Sequence, residues 1–513
     1  MEQFVSRRAL LGGLTAAGGA LMLPGCGPSA GGGAGNAPRR GGTLRLGILE
    51  PDRTGDLDVH KPISMGSVIR GFAMYSKLWE WDDDMLPVLD LAETSEVTPD
   101  ASAWTVRLKK GLEFHHGKSI TADDVIFSLR RLTDPRLASP FGALINPVDR
   151  DSIRKLDERT VRIAMKPGLP FVALPETWVN FGGIVPTDYD PVHNPVGAGP
   201  FKLKDFTPGQ RARFVRFENY HKPGRPYPDA LEIIEFKDQF ARVSALLAGQ
   251  IDLANMILPE HAGLLRGKAG AQVIVSPSNT WQSFDMNVAS GPFADARVRE
   301  AFRLLVDRDD LVKRALQGHG RAANDLYAPQ DPTFDRAIAR RPYDPDKARS
   351  LLAAAGASNL SVELVTTAAA ASPALVFTEQ AKRVGVDIRV RKVDFSVFNG
   401  KSRPDWALST GGTLGTPWLA TALHIDAPTA VNNKTHFRDP EFSSLFQRAM
   451  GEPDLERRSA LVHQAQRIQF DRGGLLIWGF TDVLDGAAAR VGGIKPERSH
   501  FPTWRFDRMW VKA

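Results

Sequence analysis

The sequence predicts an α/β protein that is divided into more than one compact lobe. Strand-like and helix-like segments alternate along most of the chain, which is typical of α/β architecture. The chain has 513 residues, and domains usually contain ~100–200 residues each, so two or three lobes are expected. The single cysteine, Cys26, excludes intramolecular disulfides and zinc sites built from several thiolates.

The N-terminal residues 1–26 have the features of an export signal. Arg7 and Arg8 lie in the stretch SRRALL, which resembles the twin-arginine export signature. The apolar run at 10–23 is shorter than the ~20 residues that a membrane-spanning helix needs. The sequence LPGC, which ends at Cys26, resembles a lipobox, so Cys26 is the expected lipidation site. The alternative is ordinary cleavage nearby and a soluble periplasmic product.

Residues 27–42, GPSAGGGAGNAPRRGG, form the expected tether after the signal. A glycine-rich segment of this kind behaves as a flexible coil because it has too little apolar surface to fold. The net charge of the chain is +6, but its basic residues are dispersed among acidic ones. Since nucleic-acid binding usually requires a basic stripe or a recognition motif, no nucleic-acid partner is expected.

Local signals predict individual elements in the first part of the body. WTVRLKK at 104–110 alternates apolar and polar residues, which predicts a half-buried strand. Thr121 and Asp124 have the spacing of a capping box, which predicts the start of a helix, and Pro135 predicts its end.

Similar signals continue through the second half of the chain. Three helices are predicted to begin at an aspartate, in DARVREAFRLL (295–305), DPDKARSLLAAAG (344–356) and DPEFSSLFQRAM (439–450). VDIRV (386–390) and GGLLIWG (473–479) predict strands.

Residues that suggest metal binding do not form a complete site in the sequence. His115 and His116 are adjacent, and adjacent residues of a strand point to opposite faces. The run from Asp82 to Asp84 lacks the glycine and the distal glutamate of an EF-hand. No nucleophile motif is complete either. The sequence therefore predicts no metal, no cofactor and no catalytic residues.

Six blocks carry a more specific signal: RRGGTLRLGI (39–48), the stretch from YSKLWEW to RRLTDP (75–135), NPVGAGPFKLKDFTPGQ (194–210), ALLAGQIDLA (245–254), the stretch from FDMN to LQGHG (284–320) and YDPDKARSLLAAAG (343–356). Together, and in this order, they resemble the family 5 solute-binding proteins of ABC importers, which include the peptide and nickel binders. The resemblance spans nearly all of residues 41–513.

The resemblance implies a two-lobed clamp of the type II periplasmic-binding-protein kind, with the ligand enclosed between the lobes. Lobe one is expected at 43–280 and 486–513, because the chain returns to complete it. An extra subdomain within lobe one is expected at about 77–183. Lobe two is expected at 281–485.

The resemblance also implies a function and partners. The chain is expected to capture a peptide-like or other small organic solute outside the cytoplasm and to deliver it to an ABC permease with a cytoplasmic ATPase. It is expected to be a periplasmic monomer that reaches the membrane only through lipid on Cys26. The alternatives are an exported periplasmic enzyme, or a ligand sensor or chaperone on the same fold.

The resemblance places a cleft-facing, substrate-dependent loop within residues 402–428. Glycines there allow a close approach of backbone N–H groups, threonines supply hydroxyl groups and a tryptophan supplies apolar contact area. The alternative is an ordinary turn. The expected ligand residues of this loop are Thr410, Gly411, Gly412, Thr413 and Trp418.

A second set of candidate ligand residues lies where the chain crosses into lobe two. Trp281, Gln282 and Asp285 belong to the segment NTWQSFDMN. The alternative for this segment is packing between the lobes.

The distribution of acids limits the class of ligand. In peptide-binding relatives, an aspartate of the cleft loop typically pairs with the α-ammonium of the ligand. This chain has no acid between Asp405 and Asp426, and a buried ammonium without a partner is costly. Unless Asp285 or another acid takes that role, a free peptide N-terminus is disfavoured, and an anionic or neutral ligand such as a modified peptide, an opine or an oligosaccharide becomes competitive. A metal chelate stays open because of His424 and His436.

Overall fold

The structure is a computed structural model that describes residues 37–50, 55–178, 182–400, 405–428, 430 and 432–512. The predictions for Arg7, Arg8, Cys26 and most of the tether lie outside these residues. In the part of the chain that the structure describes, no helix combines the length and the apolar character needed to cross a membrane.

The strands, in chain order, are β1 Thr43–Leu49, β2 Trp79–Trp81, β3 Pro87–Leu89, β4 Ala92–Val97, β5 Ala103–Leu108, β6 Arg154–Asp157, β7 Thr160–Ala164, β8 Phe201–Thr207, β9 Arg211–Arg216, β10 Ala230–Phe236, β11 Leu253–Ala254, β12 Ala271–Ser276, β13 Trp281–Met286, β14 Gly320–Ala322, β15 Ser361–Thr366, β16 Asp387–Lys392, β17 Leu408–Thr413, β18 Leu475–Thr481, β19 Val483–Ala488, β20 Val491–Gly492 and β21 Trp510–Val511.

The helices are α1 Met65–Met74, α2 Ala122–Leu132, α3 Leu174–Trp178, α4 Gln239–Leu247, α5 Pro259–Leu265, α6 Ala296–Leu304, α7 Arg308–Ala315, α8 Pro345–Ala354, α9 Ala371–Lys382, α10 Phe395–Phe398, α11 Trp418–Ile425, α12 Pro440–Met450 and α13 Leu455–Arg472.

The first large sheet has the strand order β12-β19-β11-β1-β10-β9-β8. Its central strand β1 pairs in parallel with β10 and β11. The alternating residues Leu44, Leu46 and Ile48 of β1 are fully buried, which fits the period of two that a strand imposes on its side chains. We call this sheet and the helices around it lobe one.

The second large sheet has the order β14-β18-β13-β17-β15-β16. β13 is antiparallel to both of its neighbours, whereas β15 is parallel to β16 and β17. Its core contains stacked aromatic rings, with the centroids of Phe284 and Phe377 4.1 Å apart. We call this sheet and its helices lobe two. The two mixed sheets confirm the predicted α/β class.

A smaller unit, which we call the subdomain, comprises the sheet β4-β5-β7-β6, the hairpin of β2 and β3, and helices α2 and α3. The predicted capping box is confirmed at α2, where Asp124 accepts hydrogen bonds from the backbone N–H and the hydroxyl of Thr121. The strand predicted at 104–110 is confirmed as β5. The predicted aspartate caps are also confirmed, since Asp295, Asp344 and Asp439 each accept backbone N–H bonds at a helix start.

The chain crosses between the large sheets twice. The first crossing is the segment 277–280, between β12 and β13, and the second is Asp482, between β18 and β19. β19 pairs in the sheet of lobe one from Val483 onwards. The lobe boundaries expected at 280/281 and 485/486 stay predictions.

A buried ion-pair network ties together distant parts of lobe two. Arg308 donates to both carboxylate oxygens of Asp325, at 2.7 and 2.8 Å, and Arg341 donates to Oδ2 at 2.9 Å. The Asp325 side chain is fully buried. Arg341 also pairs with Glu300, whereas Arg308 is buried and pairs with Asp325, so removal of the Asp325 charge takes away the carboxylate that compensates Arg308 in the core.

We expect Asp325→Asn to lower the free energy of unfolding by about 3–5 kcal/mol, because it breaks a buried pair without changing side-chain size. Asn also tolerates the positive φ of 60° found at this position. Urea titration followed by circular dichroism measures the change. Asp309→Asn, at an exposed ion pair with Arg340, is the control and should change stability by less than about 1 kcal/mol. Equal effects of both variants would contradict the role assigned to the network.

Candidate functional site

The two crossing segments lie side by side. The Ser278 hydroxyl donates to the carbonyl of Thr481, and the Thr481 N–H donates to the carbonyl of Thr280, both at 2.8 Å. Arg321 of β14 donates to the carbonyl of Ser278 at 2.8 Å and to the side chain of Asn279. One guanidinium therefore links lobe two to the first crossing, which fixes the geometry of the connection between the lobes.

The two sets of predicted ligand residues are neighbours, because β13 pairs with β17. Trp281 lies opposite Thr413 and Gln282 lies opposite Gly412. The prediction that Thr410 to Thr413 belong to a loop is wrong, because these residues complete β17. The cause is tertiary: the edge of β13 satisfies the hydrogen bonds of a segment whose glycines suggest a turn.

The glycines of β17 serve close packing within lobe two. A Cβ atom at Gly411 would collide with the carboxylate of Asp285, and one at Gly412 would collide with the carbonyl of Trp281. Gly412 also has a φ of 146°, which side chains rarely adopt. The side chain of Thr410 is buried and donates to the hydroxyl of Thr366 at 3.0 Å.

Asp285 is 3% exposed and is held by protein groups. The Ser283 hydroxyl donates to its Oδ1, and the ammonium of Lys434 lies 4.0 Å from its Oδ2. A carboxylate with a lysine and a hydroxyl beside it is already compensated, so this geometry gives no particular support to pairing with a ligand ammonium.

Trp418 opens helix α11, and its side chain is 1% exposed. Its backbone N–H donates to Asp331 at 2.6 Å, and its indole N–H donates to Gln469 at 3.0 Å. The indole packs against the rings of Phe442 and Phe446. Trp418 thus lies in the core and not on the exposed surface of a cleft-facing loop, where it was expected to contact the ligand.

A buried polar cluster connects Trp418 with β13. The Gln469 side chain donates to Tyr327 at 2.6 Å and to Asp426 at 2.7 Å, and the Tyr327 hydroxyl also donates to Asp426 at 3.0 Å. Trp281 stacks on Tyr327 with centroids 6.0 Å apart. Burial raises the pKa of Asp426 to about 6, with a smaller contribution from the charge of Asp285.

Sequence reasoning missed Tyr327, Gln469 and this role of Asp426. The three residues come from distant segments of the chain, each is unremarkable in its local pattern, and the sequence contains no signal that would group them.

A cavity of about 650 Å³ lies between the subdomain and lobe two. At its edge, the Val172 N–H of the subdomain donates to the carbonyl of Met450 at 2.9 Å. Most of the lining is apolar, and none of the described lining residues is Asp or Glu. The lining comprises Ala143, Leu144, Asn146, Pro147, Gly168, Leu169 and Pro170 from the subdomain, and Leu423, His424, Pro428, Phe446, Gln447, Arg448, Met450 and Gly451 from lobe two.

The histidines considered for metal binding are engaged in other contacts. His115 hydrogen-bonds with the carbonyl of Gly199 at 3.0 Å, and burial lowers its pKa to about 4. His424 hydrogen-bonds with the side chain of Asn432, and burial lowers its pKa as well. Among the residues that the structure describes, no group of three or more His, Cys, Asp or Glu side chains is arranged to hold a metal ion.

Comparison with protein families identifies the fold and its general role. Residues 87–423, well over half of the chain, match the model of the bacterial extracellular solute-binding proteins, family 5 middle region. The chain belongs to this family. The resemblance seen in the sequence is confirmed, and with it an extracytoplasmic solute-binding role in ABC import.

Individual relatives are distant but match over most of their length. The chain is 28% identical over 445 residues to heme-binding protein A of Haemophilus influenzae, covering 77% of this chain and 79% of that protein. It is 26% identical over 422 residues to the glutathione-binding protein GsiB of Pectobacterium atrosepticum, covering 77% of this chain and 80% of that protein. The solved structure of NikA from Brucella suis in complex with Fe(III)-EDTA superposes with a TM-score of 0.80 at 22% identity, covering 91% of this chain and all of that one. This likeness confirms the predicted two-lobed clamp fold.

We expect Gly411→Ala to lower stability by roughly 1–3 kcal/mol, because the added methyl group displaces the Asp285 carboxylate from a well-packed site. Thermal denaturation measures the change. Gly263→Ala in α5 is the matched control, since no atom lies within 4 Å of the added Cβ; in a helix interior it should be neutral or stabilising by up to about 1 kcal/mol. Similar losses in both variants would refute the packing argument.

We expect Asp426→Asn to be more stable than the wild type by roughly 1–3 kcal/mol at pH 8 and about equal at pH 4. The pKa of Asp426 is raised in the folded protein, so its stabilising contribution is complete below its ordinary pKa of 3.8 and is lost as pH rises through about 6. Asn mimics the neutral acid at every pH. Urea titrations across this range measure the difference. Asp346→Asn, at a highly exposed side chain, is the control. A stability difference between Asp426→Asn and the wild type that does not vary with pH would contradict the raised pKa of Asp426.

Proposed function

We propose that this chain captures a small organic solute in the cavity between the subdomain and lobe two, and delivers it to an ABC permease. One observation carries the proposal. The walls of the cavity come partly from the subdomain of lobe one and partly from lobe two, and the two crossing segments connect these lobes. A compartment built in this way forms when the lobes close and opens when they separate, which is how a clamp takes up and releases its cargo.

The volume and the lining of the cavity indicate the class of solute. About 650 Å³ lies within the range of ~300–1,000 Å³ that is typical of small-molecule sites. The apolar lining suits an apolar body, while Arg448 and His424 suit an anionic or neutral polar end. The lack of Asp and Glu in the described lining disfavours a free ammonium group. Relatives named for binding heme and glutathione support an organic solute.

The residues that the sequence singled out form, in this proposal, the floor of the site and its connection to the crossing. Gln282 and Thr413 are partly exposed at the ends of paired strands and contact a solute that reaches the crossing. Trp281, Asp285, Thr410, Gly411, Gly412 and Trp418 position this floor, and Trp418 supports Phe446, which lines the cavity.

Closure requires that the solute bind the closed form better than the open form. A micromolar dissociation constant corresponds to about −8 kcal/mol, and this free energy includes the work of closure. No covalent step is involved in this mechanism. ATP hydrolysis belongs to the partner subunits of the importer.

The proposal for export and attachment depends on the sequence. Arg7 and Arg8 direct export by the twin-arginine route, and Cys26 carries the lipid that keeps the protein at the membrane. The glycine-rich tether at 27–42 then allows the clamp to reach the permease. In this proposal the protein acts as a periplasmic monomer.

Native mass spectrometry of the protein, expressed with its own signal and extracted from the membrane fraction with detergent, tests the function. We expect a bound small molecule in the wild type and at least tenfold lower occupancy in Leu169→Trp, since an added indole fills the cavity that Leu169 lines. Leu156→Trp, at an exposed position of the same subdomain outside the cavity, is the control and should retain the solute. A wild type that binds nothing from peptide, opine, sugar or metal-chelate libraries would contradict solute capture, and turnover of the bound compound would favour an enzyme.

A further inference from the structure

A second, smaller cavity between the subdomain and lobe two contains an acid that the solute site does not use. Its volume is about 180 Å³, and its charged lining residues are Glu176 of α3, Asp331 and Arg458. The Oε2 atom of Glu176 is buried and has no hydrogen-bond partner. A buried carboxylate oxygen without a partner is expensive when the group is ionised, so the site requires an explanation.

The two acids meet at the N-terminus of helix α11. Asp331 accepts the N–H of Trp418 at 2.6 Å, together with the N–H and hydroxyl of Thr333 at 2.8 and 2.7 Å. The carboxyl group of Glu176 faces the N–H of Ala420 in the same first turn. Asp331 belongs to lobe two and Glu176 to the subdomain, so docking brings a second carboxyl group to a helix end that already holds one.

The nearby cation is largely committed elsewhere. Arg458 of α13 donates through Nη1 to the carbonyls of Glu452 and Pro453, at 2.7 and 3.0 Å. Its positive charge therefore acts on Glu176 through space, while these hydrogen bonds go to backbone carbonyls. The remaining walls come from Leu86, Pro87, Pro332, Leu419 and Leu455 and the backbone around Thr333, and they add no further charge.

We infer that Glu176 takes up a proton from solvent when the subdomain docks on lobe two, so that closure of the clamp is coupled to proton binding. The inference rests on the closure that the proposed function requires. When the lobes separate, Glu176 returns to water and releases the proton.

The direction of the coupling follows from the environment of Glu176. Burial, reinforced by the charge of Asp331, raises its pKa from 4.5 to about 8, although Arg458 and the Ala420 N–H act in the opposite direction. A raised pKa in the closed form means that protonation favours closure. This preference is complete below about pH 4.5 and is lost as pH rises through about 8.

Distances between spin labels on the two sides test the coupling without any solute. Leu156→Cys in the subdomain and Leu375→Cys in lobe two are exposed labelling positions, and Cys26→Ser removes the only native cysteine. We expect the ratio of closed to open protein to fall at least tenfold between pH 5.5 and pH 8.5. In Glu176→Gln, which cannot ionise, we expect less than a twofold change.

Two further variants separate the coupling from general effects on folding. Glu158→Gln, at a highly exposed acid of the subdomain, should follow the wild type. Arg458→Gln removes the opposing cation and should move the midpoint of the transition to higher pH. A wild-type ratio that does not vary with pH, a Glu176→Gln profile like that of the wild type, or an Arg458→Gln midpoint that stays in place or falls would each overturn the inference. These results would leave solute capture, measured by mass spectrometry, unaffected.

Discussion

The hydrogen bonds between the two crossing segments determine where the two large sheets meet, and the rest of the molecule depends on that position. Ser278, Thr280 and Thr481 pair across the crossings, and Arg321 adds a link from lobe two. Short, hydrogen-bonded connections of this kind allow rotation of one lobe against the other but little sliding. The facing surfaces of the two lobes therefore meet in the same relative position each time, and a cavity between them has a defined shape.

Burial of polar groups is the second constraint on this protein. Lobe two contains the ion pairs of Asp325 and the cluster around Gln469, while Glu176 contributes a third acid from the subdomain. In the first two places the carboxylate accepts several hydrogen bonds from neighbouring side chains, which stabilises one arrangement of the helices and strands. At Glu176 the partners are incomplete, and the free energy of the group depends on its protonation. Asp426 also has a raised pKa, but its partners Tyr327 and Gln469 belong to lobe two, so its protonation affects the stability of that lobe and not closure.

Local signals predicted many elements well because their causes are local. The capping box of Thr121 and Asp124, the aspartates before α6, α8 and α12, and the alternation of β5 all act within a few residues. The candidate site was harder to predict. The resemblance placed Thr410 to Thr413 in a loop, yet these residues pair with β13 and form a strand despite their glycines. Trp418 suggested a contact surface, but it packs against Phe442 and Phe446 and hydrogen-bonds with Gln469 in the core.

The sequence by itself determined the family, the α/β class, the order of the elements and the two candidate segments of the site, because these properties are expressed in local patterns and in blocks of adjacent residues. Only the tertiary structure decided that the cavity lies between the subdomain and lobe two, and that Glu176 meets Asp331 there. Contacts between residues more than 150 positions apart depend on how whole sheets and helices pack, and a pattern along the chain does not record that packing.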